Sequence, residues 1–382
     1  GTFIEAPAGK VSVVVTNTDI TSKINVRSPY FINTPTNGGT VTPTSSELDL
    51  YVWSGDLTAD EPATPTYELS AEATNFGDNA IYFEVAELIR DFITHRFNND
   101  YVSDAIHVKY DITTTYDSGV INETKTLLAV DGYTEYKNGV NYIGEATATG
   151  FQIAPMLSNR IVYVHDEDIL RIPVFRNSTS RVGFYLNGIE EEFFTYTNTD
   201  LTSESIEYPF YEDLPNEAMI DEVRITNSNT GNVTSITVVP VEECKYDVKK
   251  ITFVNKFGAY QDLWFFKASK DSLSVDGSEY RSNVLYSNSG TVTYNVSDHQ
   301  RVDYNVTGKK SFTLNSGYVS EDNNQVFEEL FLSEKVWITD SNGTCPVRIK
   351  SKSLNFKNRI NDKLISYTVD FEYAFEAINN VR

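Results

Sequence analysis

The chain has 382 residues, with 54 acidic against 31 basic side chains and a formal net charge of −23. An acidic exterior of that size repels phosphate backbones, which argues against nucleic-acid binding by the chain as a whole. With 24 Tyr and 22 Phe and only 22% charged residues, wholesale disorder is excluded and pleated, half-buried surfaces are favoured.

The length predicts two or three domains, each able to bury its own core. Residues 1–33 read as an N-terminal arm with one strand at Val11–Thr16. Thr34–Ser46 reads as a loop, and Glu47–Trp53 alternates Leu48, Leu50 and Val52 on one face. A Pro-containing loop at Leu57–Thr66 precedes a strand at Tyr67–Ala71. In 84–97, Val85, Leu88, Ile89, Phe92 and Ile93 fall at helical spacing, which predicts a helix near 85–95 capping an open end of the first sandwich. Strands at Ile106–Ile112 and Lys125–Val130, with turns at Asp131–Gly132 and Asn138–Gly139, complete a β-sandwich of immunoglobulin-like size over 34–154.

A second β domain is predicted over 155–243. Strands at Arg160–Val164 and Ile169–Phe175 flank the acidic turn His165–Asp168. Asn187–Gly188 joins Phe184–Leu186 to Ile189–Phe194 in a hairpin, because Asn-Gly suits the turn that matches strand twist. Thr195–Met219 reads as a long loop, and Glu222–Thr226 with Val233–Val239 as another hairpin. The third block, 244–382, opens with strands Lys250–Val254 and Gln261–Phe266 around Gly258. Its end, 326–375, reads as a short helix, strand, turn and strand, then a closing strand. There Ile365, Tyr367, Val369, Phe371 and Tyr373 alternate with polar residues. The expected fold is mostly β, with tandem β-sandwich-like domains and one or two short helices.

Motifs that carry chemistry are missing from the text of the chain. The four histidines (His95, His107, His165, His299) never pair at i+3 or i+4, and no nucleophile-elbow, phosphate-loop or zinc-protease motif occurs. The run 165–168 packs four polar ligands without calcium-loop spacing, so a solvated hairpin tip is favoured over a cation site. The acidic run Glu190–Glu192 reads as an exposed strand, and the six N-x-S/T sequons as chance in an Asn- and Thr-rich chain. No catalytic, cofactor-binding or metal-binding residue is therefore assigned, and the chain is read as a non-enzyme.

Interface candidates are Tyr208, Phe210 and Tyr211 in the long loop, and the basic strip Arg348, Lys350, Lys352, continuing to Lys357 and Arg359. The strip fits either a solvated edge strand guarded by lysines or a docking strip for an acidic neighbour, such as another copy of this chain. Trp53 and Trp264, each in a strand, are expected in cores. Cys244 and Cys345 fit either one disulfide or two buried thiols held reduced in a cytoplasm, the latter favoured. No apolar run approaches the length of a membrane span, and residues 1–20 lack the charged and apolar regions of a signal peptide.

The words KITFVNKFGAYQDLWFFKAS, GYVSEDNNQVFEELFLSEKVWI and PVRIKSKSLNFKNRINDKLISYTVDFEYAF resemble the C-terminal region of tail and baseplate proteins of tailed bacteriophages, nearest those of Bacteroidetes-type hosts. RSPYFINTPTNGGTVTPTSSELDLYVWSGD and YFEVAELIRDFI resemble β-sandwich segments of such virion proteins. The resemblance covers roughly 27–95 and 250–378 and is one of texture and word order, with no catalytic motif. It implies a structural subunit of a tail, baseplate or collar, assembled in the host cytoplasm into the virion. Its partners would be copies of itself in a symmetric ring and other virion proteins, with no cofactor. A receptor- or host-glycan-binding module is the alternative, and a glycan-cleaving enzyme a third reading.

Overall fold

A computed structural model describes residues 23–34, 42–73, 81–101, 104–138, 154–157, 159–166, 168–176, 180–196, 202–209, 219–228, 231–340, 343–351, 353 and 364–378. The fold is mostly β, with several separate sheets and two α-helices among these residues. The predicted strand at 11–16 lies outside them.

The first sheet has five strands. Pro43–Trp53 lies between Tyr67–Glu72 and Ile106–Tyr116, then Gly119–Val130 and, parallel to it, Lys23–Asn25. Period-two patterning sends Leu48, Leu50, Val108, Tyr110 and Ile112 to one buried face. Ile32, Phe83, Val85 and Ile89 cover that face. Residues 23–33 are thus no free arm: Ile24, Val26 and Ile32 are core, and Phe31–Asn33 pairs with Tyr82–Glu84. The strand predicted from 47 already begins at Pro43, inside the expected loop.

The predicted helix is cut short. α1 spans only Ala86–Arg90, and Phe92, expected on the apolar stripe, is 41% exposed. Two tight turns, Phe92 N to Ile89 O and Ile93 N to Arg90 O, end it. The reason is tertiary: the following residues leave the helix to dock His95 and Phe97 against the large C-terminal sheet, which outweighs helical periodicity there.

The second unit is a sandwich. One sheet has the order Ile189–Tyr196, Ser180–Leu186, Glu222–Asn227, Val233–Val241, Ile161–His165, the last pair parallel. The other joins Thr202–Pro209, Ile169–Arg176 and Ala154–Pro155. Val182, Phe184, Ile225 and Val238 from one sheet meet Ile172, Val174 and Tyr208 from the other. The Asn187–Gly188 hairpin forms as expected, with φ of 51° and 79°. The long loop predicted over 195–219 is corrected: Thr202–Pro209 is a strand paired over eight residues with Ile169–Arg176, because Ile206 and Tyr208 alternate into the core.

The third unit is a seven-stranded sheet. Its order is Tyr260–Phe265, Lys249–Val254, Val336–Asp340, Gly343–Ile349, Thr368–Tyr373, Arg301–Asn315, Lys270–Arg281. α2, Asn324–Leu332, lays Val326, Phe327 and Leu330 on this sheet. Burial of the closing segment alternates as predicted at Ile365, Tyr367, Val369 and Phe371. It is nevertheless two strands: Leu364–Ile365 pairs with Val319–Ser320, and Ser316 takes both backbone groups of Tyr367 before Thr368 enters the large sheet. The strand bearing Arg348 sits inside the sheet rather than at its edge, which corrects the edge-strand expectation.

Candidate interaction surface

The three units meet at one polar junction. Residues 91–101 carry His95, Phe97 and Tyr101 from the first unit to the third. Phe97 packs with its ring centroid 4.8 Å from Tyr260 and 5.3 Å from Trp337. Tyr101 Oη donates to Asp262 Oδ1 at 2.6 Å, and Thr252 Oγ1 donates to the same oxygen at 2.6 Å. From the second unit, Arg171 lays its guanidinium 4.1 Å over the Tyr101 ring, 2.9 Å from Glu207 and 3.9 Å from Asp262. Burial, helped by the Asp262 charge, pushes the Tyr101 phenol far above its ordinary pKa, so it remains a donor.

His95 is held between two carboxylates. Nδ1 lies 2.9 Å from Asp104 and Nε2 2.9 Å from Asp131, and the Tyr260 hydroxyl donates to Asp104 as well. Burial alone would lower the imidazole pKa; the hydrogen bonds and charges of Asp104 and Asp131 more than reverse this and raise it to about 8. Nearby, buried Glu329 is raised to about 7 by desolvation despite Lys256 at 3.6 Å. Lys23, wholly buried beside the rings of Phe175 and Phe257, is lowered to about 7 by desolvation. Chemically this junction fastens three units to one another.

From the edge of the third unit extends a two-stranded ribbon. Lys270–Arg281 pairs with Arg301–Asn315 along its whole length. On the far side of the latter, the sheet continues only over Ser311–Asn315, and the segment 376–377 adds bonds at Thr307 and Gly308. Strand Lys270–Arg281 is about 40 Å long at the usual rise, and all twelve of its residues are exposed. At the tip, Leu285–Asn288 and Thr291–Tyr294 form a hairpin that pairs with no other strand among the described residues.

This ribbon is patterned as if it were covered. Leu273 and Val275 alternate with Ser272, Ser274 and Asp276, on the face that carries Phe312 into the core. A bulge between the pairs Asp276–Thr307 and Ser278–Tyr304 adds a residue to the second strand, so Tyr280, Val302 and Tyr304 share the opposite face. Leu273 is 58% exposed, Val292 65%, Tyr294 63% and Val296 88%. Five basic and five acidic side chains cancel over 270–310, and 282–297 carries no charge at all. The chain's whole net charge of −23 therefore lies elsewhere.

The residues predicted as sites are scattered. Tyr208 is 2% exposed and stacked 4.6 Å from Phe184, so it is core and not a surface anchor. Phe210, Tyr211 and Lys352 lie outside the described residues, as do Lys357 and Arg359. Arg348 and Lys350 are exposed, and Arg348 borders a groove beside α2. Trp53 and Trp264 are buried as expected. Both cysteines are free; Cys244 is exposed and Cys345 half-buried, so the expectation of two buried thiols fails at Cys244, which stands on a surface turn rather than in a strand. Among the described residues no group of three or more His, Cys, Asp or Glu side chains is placed to hold a metal ion. No helix among them is long and apolar enough to cross a membrane. Sequence reasoning passed over both the junction and the ribbon. The uncharged run 282–297 and the alternation Val302, Tyr304, Val306 were the available signals for the ribbon; nothing in spacing marks His95.

No protein-family model and no curated protein matches the chain. Among solved structures, one similar chain comes from the CsuC–CsuE chaperone–tip adhesion subunit pre-assembly complex of the archaic chaperone-usher Csu pili of Acinetobacter baumannii. It is 12% identical, with 58% of this chain and 97% of that chain covered, at a TM-score of 0.19. At that score the likeness carries no argument about this chain.

Proposed function

We propose that this chain is a structural assembly subunit that joins copies of itself into a ring, as a tail, baseplate or collar component of a tailed phage. The observation that carries the assembly reading is the ribbon. Two-stranded ribbons are marginal in water on their own, and a flat edge with exposed apolar side chains invites pairing. Here Leu273 and Val275 alternate with polar residues as in a half-buried strand, yet the whole strand is exposed. Its neutrality also suits self-association, because two copies each carrying −23 repel one another overall and a net-neutral segment adds nothing to that repulsion. The virion assignment is drawn from the resemblance in sequence texture, and the mostly β, multi-sheet architecture accords with it.

Of the aromatics named for the glycan-binding alternative, Trp53, Tyr208 and Trp264 lie in cores, while Phe210 and Tyr211 lie outside the described residues. Negative-stain images of the purified chain test the assembly reading: closed particles with rotational symmetry are expected, and dispersed single copies at every concentration would contradict it. Antibodies against the chain are expected to label one fixed position on the phage particle. Absence of the chain from purified particles would refute the virion assignment alone.

A further inference from the structure

We infer that a groove beside α2 receives the uncharged ribbon tip of a second copy of this chain; this rests on the assembly reading above and names the contact that would produce it. The groove is an open depression of about 550 Å³ between the end of α2 and the strands Val336–Asp340 and Gly343–Ile349. α2 turns Val326, Phe327 and Leu330 to its own sheet and leaves Phe331 and Leu332 as the groove wall, with Leu332 48% exposed. Ile349 adds partly exposed apolar surface over the buried Val336 and Val347, and Glu328, Glu334 and Arg348 stand at the rim. An apolar centre with a polar rim is the layout of a protein-binding site.

The occupant is argued from charge and shape. An acidic copy repels acidic segments, so a part of a second copy that approaches easily is 282–297, an uncharged stretch that is largely exposed. Cross-strand partners share a face, so the pairs Leu285–Tyr294 and Ser287–Val292 put Leu285, Val292 and Tyr294 together on one side of the tip. These three are each more than half exposed. Tip and groove are different surfaces, so their contact is head-to-tail. A joined pair then keeps one tip free on one copy and one groove free on the other, which is the condition for a ring or a filament.

The test uses the full chain and mixing. Leu332→Arg blocks the groove, with Ser351→Trp as a second groove variant should the first fold poorly. Val292→Lys with Tyr294→Lys spoils the tip, far from any core. Light scattering over a concentration series is expected to show an oligomer for wild type and at least about tenfold weaker self-association for each variant. An equimolar mixture of tip and groove variants should give a dimer, because one intact tip and one intact groove remain. Groove variants that keep the wild-type mass would overturn the groove while leaving the ribbon reading standing. Two monomeric variants that do not complement each other would show that tip and groove do not meet. A wild-type monomer at all concentrations would overturn both this contact and the assembly reading.

Discussion

Replacing His95 by Gln should weaken the junction, and in a pH-dependent way. The wild-type side chain is 4% exposed and sits 2.9 Å from both Asp104 and Asp131, the latter 10% exposed. Removing the cation leaves two carboxylates facing each other, and breaking a buried pair in this way costs about 3–5 kcal/mol. The charge-linked part follows from the titration. A pKa raised from 6.5 to about 8 corresponds to about 2 kcal/mol, at 1.36 kcal/mol for each unit. Because the folded value is raised, that stabilisation is complete below pH 6.5 and is lost as pH rises through about 8. Lys23 and Glu329, both near 7, titrate in an overlapping window. The informative quantity is therefore the difference between wild type and His95→Gln, measured by urea unfolding from pH 5.5 to 9.5. That difference should shrink by about 2 kcal/mol between the two ends. A difference independent of pH would refute the claim that the protonated ring holds the junction.

Other outcomes follow from packing. Tyr208→Ala, removing a buried ring stacked on Phe184, should destabilise the second unit by about 3–5 kcal/mol in denaturant unfolding. Gly258→Ala should cost more than about 1 kcal/mol, since φ is +75° and the added methyl would lie 2.8 Å from the Asp131 backbone nitrogen. The thermal midpoint should drop accordingly. A thiol reagent should modify exposed Cys244 in the native protein at least tenfold faster than Cys345; equal rates would contradict the placement of these two residues.

The fold was largely legible because most strands have one buried and one solvated face. Leu48, Leu50 and Val52, or Ile365 to Phe371, announce such a face by alternation alone. The failures come from partners distant in sequence. Helical spacing runs on through Phe92 and Ile93, yet Phe97 and His95 find better partners at Tyr260 and Asp131, and α1 stops at Arg90. Thr202–Pro209 is rich in Ser and Glu and looks like loop until Ile169–Arg176 is placed beside it. The ribbon shows a deeper limit. Alternation states that a strand is half covered, but it reads the same whether the covering layer belongs to this chain or to the next. Only the fold shows that Leu273, Val275 and Tyr304 lack a cover.

The central claim is tested most directly by the mass of the full chain in solution beside a variant in which 282–300 is replaced by Asn-Gly, a turn that joins the paired residues Arg281 and Arg301. The wild type should show one defined oligomeric mass across a concentration series, and the shortened chain should be a folded monomer. A monomeric wild type would contradict assembly through the ribbon, and a shortened chain of unchanged oligomeric state would contradict assembly through its tip.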